Sequence, residues 1–425
     1  MKRALWVWWE GRPVGELTQD EDGELGFAYG GEWLDDQDAP ALSASLPKRS
    51  EPFSRRACQP FFGGLLPEEA QRRAAAQALG ISSGNDFAML DRLGGDVAGA
   101  IEFLQPGESP RSSSGPWKPE ALRDEALSKT LDALPIRPLL AGQEGLRLSL
   151  AGAQSKLPVV LVEGAVALPL PGQPTTHILK PAIPRFEATT ENEAFAMKLA
   201  SAAGLDAASV EPRVLRIPGA EARTFLLVER YDRDKQPPHG VRRLHQEDFC
   251  QALGIPVERK YQSEGGPSLK DCFALLRRVS ARPAAEVLKL LDAVVFNVVI
   301  GNADAHGKNF SILYSAGGPG LAPLYDLLCT VIYPQLSPGF AMKVGRHARL
   351  EDLDSRDWAA FAEKAELRPP FVLRRVGELA TRIAEVVAAT AGDLKSAGLS
   401  ESALQQLSVL VQERAEACRA GLSRK

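Results

Sequence analysis

Three polar residues between positions 304 and 326 have the types and spacing that phosphoryl transfer requires. Asp304 and Asn309 stand five positions apart in the segment 300–309, which follows an apolar stretch. In the catalytic loop of protein kinases, an aspartate with this spacing orients the substrate hydroxyl and accepts its proton, and the asparagine oxygen binds Mg²⁺. Asp326 follows in an apolar segment, where a carboxylate is costly unless it is paired or binds a cation. Asp304 is therefore the candidate catalytic residue, and Asn309 and Asp326 are the candidate magnesium ligands.

A lysine and a glutamate that precede these residues favour the same chemistry. Lys180 ends the apolar run 177–179, and Glu193 lies in a predicted helix that begins near Glu191. A protein kinase needs a strand lysine that contacts the nucleotide phosphates and a helical glutamate that holds this lysine. Each residue alone has an ordinary explanation, because a lysine at a strand end is usually solvated and Asp or Asn often caps a loop. Their order along the chain, across a change from strands to helices, is what favours a kinase.

Phosphate binding also requires a backbone loop ahead of the lysine. The segment 148–156 is rich in small residues, which let backbone N–H groups come close to phosphates. It matches neither the GxGxxG nor the Walker pattern, and a tight turn between strands explains it at least as well. The segment 228–232 ends the last predicted strand before the helical part, where the hinge backbone of a two-lobed kinase meets adenine. Both assignments depend on position alone and stay open at this point.

The elements that must position these residues form three successive regions. The first region begins with strand and turn patterns and ends near a linker rich in Ser, Pro and Gly, predicted over 105–119. Short apolar runs from 147 to 231 predict a sheet with one inserted helix, and helices dominate from 246 onward. We expect an α+β, two-lobed protein-kinase-like fold with a cleft between its lobes. The predicted parts are a mixed α/β N-terminal subdomain (1–140), a β-rich nucleotide lobe (141–232) and an all-α C-terminal lobe (233–425).

The composition is that of an ordinary globular protein. The chain has 425 residues and a formal net charge of −4, so no overall basic excess indicates nucleic-acid binding, and any DNA contact is expected mainly through a partner. Its five cysteines are scattered without a CxxC pair, which favours reduced thiols. No uncharged apolar stretch approaches the roughly 20 residues of a membrane span, and the first residues are too polar for a signal peptide. We therefore expect a cytoplasmic protein without a membrane partner.

Several collinear motifs resemble the HipA family of toxin–antitoxin kinases, and the likeness extends through nearly the whole chain. Three of them are similar to signatures of that family's first domain: Leu42–Pro47, Phe61–Pro67 and Gly95–Ala100. Four others are similar to signatures of its kinase domain: Ser149–Gln154, Leu244–Gln251, Lys260–Pro267 and Gly301–Ser311. The resemblance implies a serine/threonine protein kinase that uses ATP and Mg²⁺.

The resemblance also implies a role for each candidate residue. The phosphate loop would consist of Leu150, Ala151, Gly152, Ala153, Gln154, Ser155 and Lys156. Lys180 would contact the phosphates, while Glu229 and Tyr231 would offer backbone atoms to adenine. His306 and Tyr325 would lie beside the nucleotide. Ser149 matches the serine that family members autophosphorylate to silence themselves.

The same resemblance implies partners. Family members are held inactive by a small DNA-binding antitoxin of the HipB type, and their targets include aminoacyl-tRNA synthetases. Two positions depart from the family pattern. Ser155 stands where a glutamate is common, which puts the behaviour of the phosphate loop or the choice of substrate in doubt. His245 replaces a frequent proline, a change that we expect to be neutral.

Two other functions remain open from the residues alone. A metal-dependent hydrolase could use Asp304, His306 and Asp326, although such sites usually contain more histidines and the chain has only five. A catalytically inert module that docks an antitoxin as a corepressor would need none of these residues. Stoichiometric zinc or iron would favour the hydrolase, and stabilisation of the fold by Mg-ATP would favour the kinase.

Overall fold

The N-terminal part of the chain is a four-stranded antiparallel sheet covered by short helices. The computed structural model describes residues 3–111, 117–236 and 240–424. The strands are β1 (Arg3–Trp9), β2 (Arg12–Gln19), β3 (Leu25–Tyr29) and β4 (Ile101–Leu104), in the order β3-β2-β1-β4. The helices are α1 (Gly31–Asp35), α2 (Arg55–Gly63), α3 (Glu69–Leu79) and α4 (Asp86–Leu93). Alternate residues of β1 and β3 are buried, as expected for a sheet with one face on the core.

A five-stranded antiparallel sheet with one inserted helix follows. After α5 (Asp124–Ala133), its strands are β5 (Leu157–Val162), β6 (Ala165–Ala167), β7 (His177–Pro181), β8 (Val210–Leu215) and β9 (Arg223–Glu229), in the order β6-β5-β7-β9-β8. Glu163 and Gly164 join β5 to β6 with positive φ angles of 50° and 84°, as a tight two-residue hairpin turn requires. Helix α6 (Thr189–Ala202) lies between β7 and β8 in the sequence.

The C-terminal part is mainly helical and contains two small antiparallel sheets. Its helices are α7 (Phe249–Leu253), α8 (Leu269–Val279), α9 (Pro283–Ile300), α10 (Ser355–Lys364), α11 (Pro369–Ser396) and α12 (Glu401–Gly421). One sheet pairs β10 (Arg233–Gln236) with β11 (Gly240–Arg243). The other has the order β12 (His245–Asp248), β13 (Ser311–Ser315) and β14 (Gly318–Leu321).

Helix α9 is the central support of the C-terminal part. Every residue from Ala293 to Ile300 is buried, because the helix packs against α8, α11 and α12 on different sides. A helix that is apolar all round belongs inside a protein. It ends at Gly301, whose φ of 75° caps the helix in the left-handed region. A β-carbon at Gly301 would lie 2.4 Å from the Val331 side chain, so only glycine lets the chain leave α9 at this point.

Most of the predicted elements are present, and the structure adds two small sheets in the C-terminal part. The helices expected at 191–203, 285–300 and 401–421 correspond to α6, α9 and α12. The predicted all-α C-terminal lobe is helical in most of its length, but it also carries β10–β14, which the sequence pattern did not indicate. The predicted linker 105–119 includes residues 112–116, which lie outside the described residues. Within the part of the chain that the structure describes, no helix is long and apolar enough to cross a membrane.

Candidate active site

Lys180 lies between two carboxylates in the cleft, the boundary between the five-stranded sheet with α6 and the C-terminal part of the chain. It comes from the end of β7, and its amine donates to Glu193 Oε1 of α6 at 2.6 Å and to Asp326 Oδ1 at 2.7 Å. Burial alone would lower the pKa of the Lys180 amine, but Asp326 and Glu193 outweigh burial and raise this pKa above its ordinary value. The lysine is therefore a fixed positive charge, held between the two lobes.

Asp326 combines an ionised side chain with a strained backbone. Burial would raise the pKa of its carboxyl, but Lys180 and Lys156 outweigh burial and hold the pKa below its ordinary value. The side chain is 38% exposed, so one edge of the carboxylate remains open to the cleft. The φ angle of Asp326 is 56°, in the left-handed region that residues other than glycine seldom adopt. Such strain is most common at functional sites.

Asn309 lies beside Asp326, as a pair of magnesium ligands would have to. Its Nδ2 donates to Asp326 Oδ2 at 3.3 Å, and its Oδ1 accepts from the N–H of His306 at 3.2 Å. Carboxylate and amide oxygens are the ligands that Mg²⁺ prefers, with phosphates and water completing its shell. In the described ranges, no group of three or more His, Cys, Asp or Glu side chains is placed to hold a metal ion. This donor set suits a magnesium ion that shares its ligands with a nucleotide, and it gives no support to a hydrolase metal centre.

Asp304 follows α9 in the loop that begins at Gly301. It is exposed toward the cleft, and its Oδ1 accepts from the Tyr261 hydroxyl at 2.7 Å. Desolvation by the neighbouring protein groups raises the pKa of the Asp304 carboxyl above its ordinary value, although Tyr261 and Lys260 act in the opposite direction. His306, two residues later, is buried, and this burial lowers the pKa of its imidazole to about 3. The imidazole is therefore neutral at physiological pH.

The segment 149–156 is packed against the N-terminal part of the molecule. Ser149 is fully buried, and its Oγ donates to the carbonyl of Leu65 at 2.8 Å. The carbonyl of Gly152 accepts from the N–H of Glu68 at 3.1 Å, and its φ of 115° is one that favours glycine. The amine of Lys156 donates to the carbonyl of Ala151 at 2.6 Å. The loop is thus closed on itself and held from outside by the segment 65–68.

Lys156 and Gln154 complete this loop. Burial, with Lys180 nearby, lowers the pKa of the Lys156 amine to about 8. Gln154 Nε2 lies 3.5 Å from the carbonyl of Pro181, next to the end of β7. Leu150 is buried, Ser155 is half-buried and Ala153 is exposed. A nucleotide phosphate near Lys180 would therefore meet a second amine, that of Lys156, from the loop.

The predicted hinge residues lie at the end of β9. The Glu229 side chain points outward and pairs with Lys235. The ring of Tyr231 lies 5.7 Å from the ring of Tyr325, and its hydroxyl donates to the Gln246 side chain. The hydroxyl of Tyr325 donates to the carbonyl of Lys308 at 2.7 Å. Two aromatic rings therefore lie together at the boundary of the lobes, where the predicted adenine site would be.

Four residues near the site were not singled out as functional from the sequence. Glu68 Oε2 accepts from the Lys260 amine at 2.8 Å, and Lys308 donates to Asp248 at 2.6 Å and to the carbonyl of Gly64 at 3.2 Å. Glu68 also lies 3.8 Å from Lys308. The fourth residue is Tyr261. All four lie within or directly beside the HipA-like motifs, and this position is the signal that could have identified them: Glu68, Lys260, Tyr261 and Lys308.

A buried ionic network holds the segment around the predicted hinge residues. Asp96 Oδ1 accepts from Arg233 at 2.8 Å and from Arg243 at 3.1 Å, while its Oδ2 accepts from Arg230 at 3.3 Å. Asp232 pairs with Arg230 at 2.8 Å. Arg230 and Asp232 flank Tyr231 in the sequence, so the N-terminal part holds the backbone on both sides of the predicted adenine contact.

Comparison with known proteins identifies the family. The sequence matches the HipA N-terminal domain over residues 5–104 and the HipA-like C-terminal domain over residues 148–390. The second match alone covers more than half of the chain. This chain belongs to the HipA family.

Individual HipA relatives agree over almost the full length. A protein of Sinorhizobium fredii, named putative kinase Y4mE, is 59% identical over 420 residues, which cover 98% of this chain and 99% of the relative. The serine/threonine-protein kinase toxin HipA of Shewanella oneidensis is 30% identical over 389 residues, which cover 88% of this chain and 86% of that toxin. A chain in the solved complex of HipA, HipB and operator DNA from Shewanella oneidensis matches with a TM-score of 0.82 at 26% identity, covering 97% of this chain and 96% of that one.

These comparisons confirm the predicted family and fold class. The α+β, two-lobed, kinase-like architecture is that of HipA, and the chain is a member of a family of kinase toxins that includes a protein solved together with its antitoxin.

Proposed function

We propose that this chain is a HipA-type serine/threonine protein kinase that transfers the γ-phosphate of ATP to a protein hydroxyl. The observation that carries the proposal is the position of Lys180, whose amine joins Glu193 to Asp326 across the cleft. A lysine that is held by a helical glutamate and lies next to a metal-binding aspartate is the arrangement a protein kinase needs before it can transfer phosphate. Lys180 and Glu193 are buried, and a docking module without catalysis does not need to bury such a pair.

Each residue has a role in this proposal. Lys180 and Lys156, with the backbone of 150–155, would bind the phosphates. The backbone of Glu229 and Tyr231 would meet adenine, and His306 and Tyr325 would lie beside the nucleotide. Asn309 and Asp326 would hold Mg²⁺, which supplies positive charge at the phosphates when it is bound. Asp304 orients the acceptor hydroxyl and accepts its proton. Its exposed position in the cleft leaves it within reach of a docked protein.

We also propose the regulation that the family resemblance implies. Ser149 would be autophosphorylated, and a HipB-like antitoxin would silence the kinase and supply most of the contact with DNA. The relative solved with HipB and operator DNA supports the antitoxin, and the net charge of −4 is consistent with DNA contact through a partner. We further propose growth inhibition by phosphorylation of an essential protein, with aminoacyl-tRNA synthetases as the first class to examine, and a cytoplasmic location.

The three regions 1–140, 141–232 and 233–425 are proposed as subdomain, nucleotide lobe and catalytic lobe. One buried cluster comes from the first region apart from Ala141, just past its boundary, and its members include Leu5, Phe27, Phe62 and Phe103. A second lies under the five-stranded sheet, and the largest joins α6 to the C-terminal helices. The cleft that holds Lys180 then lies between the second and third regions.

The test is the substitution Asp304→Asn, with Asp393→Asn on the exposed surface of α11 as a matched control. Loss of a positioned base is expected to lower the rate of phosphate transfer by about 10²–10⁴-fold, while ATP binding survives. Phosphoproteomics after induction of wild type and of each variant would reveal the substrates, because their phosphorylation should disappear only in Asp304→Asn. Near wild-type transfer by Asp304→Asn would refute the proposed role, and a wild-type protein that neither binds Mg-ATP nor forms ADP would refute the kinase.

A further inference from the structure

Tyr261 occupies one oxygen of the Asp304 carboxylate. Its hydroxyl donates to Oδ1 at 2.7 Å. The backbone N–H of Asp304 donates to Asn302 Oδ1 at 3.2 Å and does not involve the carboxylate. Within residues 3–111, 117–236 and 240–424, no hydrogen bond reaches Asp304 Oδ2. The carboxylate therefore faces the cleft with one oxygen held and the other free to accept a proton.

The backbone of the turn that carries Tyr261 is fixed. The Tyr261 carbonyl accepts from the N–H of Glu264 at 3.0 Å and from the N–H of Gly266 at 2.8 Å. A β-carbon at Gly266 would lie 2.6 Å from the Tyr261 carbonyl oxygen, so the turn closes this tightly only around glycine. The N–H of Gln262 donates to the carbonyl of Ala341 at 3.2 Å, which ties the turn to a neighbouring segment.

The ring of Tyr261 is fixed as well. It packs edge-on against the buried His306 ring with centroids 5.1 Å apart, and the Lys260 amine lies 5.5 Å from its centre. Lys260 is itself held by Glu68 at 2.8 Å, and its carbonyl accepts from the N–H of Gly307 at 3.4 Å. The phenol thus approaches Asp304 from a position that the catalytic loop and the N-terminal part of the molecule determine together.

We propose that Tyr261 is a positioning residue for phosphoryl transfer, an inference that rests on the proposed function. It holds Asp304 Oδ1 so that Oδ2 points at the acceptor hydroxyl. In the step itself, the acceptor oxygen forms a bond to the γ-phosphorus and its proton passes to Oδ2. The bond between the γ-phosphorus and the β,γ-bridging oxygen breaks, and ADP leaves with the electron pair.

A mobile tyrosine at this place would have the opposite effect, because its hydroxyl would compete with the acceptor for Asp304. The fixed turn and ring favour orientation over competition. The two roles predict opposite changes in kcat when the hydroxyl is removed, so one substitution distinguishes them.

The experiment compares Tyr261→Phe with Tyr314→Phe. Tyr314 is a matched control, since its hydroxyl also donates to a carboxylate, Glu247 Oε1, at 2.6 Å, but outside the proposed site. The assay measures ADP formation from Mg-ATP with dephosphorylated casein as acceptor, which counts transfer to casein, to the chain itself and to water. Tyr261→Phe should lower kcat about ten- to hundredfold and leave KM for Mg-ATP within about twofold, because a hydrogen bond to a charged group is lost. The control should keep both constants within about twofold.

The pH profile supplies a second readout. Without the phenol donor, the Asp304 carboxylate is less stabilised, so the acid limb of kcat should move to higher pH in Tyr261→Phe. The other charged groups that act on Asp304, namely Lys260, Asp326 and Glu69, are unchanged in the variant. A tyrosine with only a packing role would leave this limb in place.

Unchanged or increased kcat in Tyr261→Phe would overturn the inference, provided that Asp304→Asn is inactive in the same assay. If Asp304→Asn is as active as wild type, the proposed role of Asp304 fails first. The two failures are therefore separate.

Discussion

We expect magnesium binding to depend on the side chain of Asp326. Lys180 already neutralises one of its oxygens, and Asn309 contacts the other. The left-handed backbone at Asp326 directs the carboxylate into the cleft at some cost in conformational energy. A strained backbone with an ionised, 38% exposed side chain does little to stabilise the fold. The same features suit a residue that binds a metal ion.

Asp326→Ala should therefore lose magnesium-dependent nucleotide binding without unfolding. Lys180 keeps its bond to the buried Glu193, so no lone charge is left in the interior. We expect the affinity for Mg-ATP to fall at least about tenfold, since a charge-assisted ligand of this kind contributes on the order of 1.5–3 kcal/mol. Fluorescence titration with a labelled ATP analogue, with magnesium and with EDTA, measures the change.

The control for this prediction is Asp393→Ala, which removes a carboxylate from an exposed helix surface. Thermal melting of both variants should remain close to that of wild type. A magnesium titration of Asp326→Ala that matches wild type would mean that the metal has other ligands.

At the residue scale, chemistry that acts through few residue types could be predicted from the sequence. A lysine, a glutamate, an aspartate and an asparagine in one order left few alternatives, and the structure brings Lys180, Glu193, Asn309 and Asp326 together. The contact of Glu68 with Lys260 spans 192 positions and depends on how two parts of the chain pack, which no local pattern contains.

Among the elements, the loop 149–156 is the one whose position we expect to be most sensitive to added charge. Ser149 is fully buried, with its hydroxyl on the carbonyl of Leu65 and its N–H on the carbonyl of Asp96. A phosphate carries about −1.5 to −2 charges and needs more room than a hydroxyl. Neither requirement can be met at this position, so a phosphorylated loop has to leave it.

We predict that protein incubated with Mg-ATP gains phosphate on Ser149 and that the modified fraction binds Mg-ATP at least about tenfold more weakly. The loop would take Gly152 and Lys156 with it, so both the backbone cradle and the second amine are lost. Mass spectrometry locates the phosphate, and limited proteolysis should cut the modified loop faster. Ser149→Ala is the control that cannot be modified. It should bind Mg-ATP normally and lose only about 1 kcal/mol of stability with its hydrogen bond.

Modified protein that binds Mg-ATP like the unmodified form would show that this loop is not a switch. A Ser149 that stays unmodified while other proteins are phosphorylated would lead to the same conclusion.

At this scale, long elements were easier to predict than short ones. Helices α9 and α12 have many residues in register, so their apolar patterns are visible in the sequence. Strands β12 and β13 have four and five residues and pair across more than 60 positions, with Asp248 opposite Ser311. A run this short has too few alternations to be distinguished from a loop, and its partner lies outside any local window.

For the whole molecule, the network around Asp96 determines how firmly the N-terminal part is attached to the segment 230–243. Its carboxylate is shared by Arg233, Arg230 and Arg243, which come from β10, from the residue after β9 and from β11. The arginines are buried, so they have no access to water in place of this partner. Removing one member of such a network is more damaging than removing an exposed pair.

Asp96→Asn is expected to lower the free energy of unfolding by about 3–5 kcal/mol at neutral pH, because buried guanidinium groups lose their counter-charge. Denaturant unfolding measures the change. The matched control is Asp132→Asn, which breaks the ion pair between Arg223 and the Asp132 carboxylate, a side chain that is 66% exposed. This substitution should lower the free energy of unfolding by less than about 1 kcal/mol. Equal losses in the two variants would show that the network does not stabilise the attachment.

The difference between wild type and Asp96→Asn should also depend on pH. Burial alone would raise the pKa of Asp96, but the three arginines outweigh burial and lower this pKa from 3.8 to about 2. A carboxyl whose pKa is lowered by folding contributes its stability above the unfolded pKa and loses it as pH falls toward the folded one. The gap between the two proteins should therefore narrow between about pH 4 and pH 2, and a gap that is constant across this range would contradict the assignment.

The distance along the chain between Asp96 and its arginines has a consequence during synthesis. Asp96 precedes Arg233 by 137 positions, and at about 5–20 residues per second a ribosome needs roughly 7–27 s to add them. The first sheet can fold early in that time, but the ion pair between Asp96 and Arg233 cannot form until both residues have been made, and the loop that carries Asp304 is translated later still. The proposed kinase is therefore incomplete for most of its translation, and the proposed antitoxin has that interval in which to bind it.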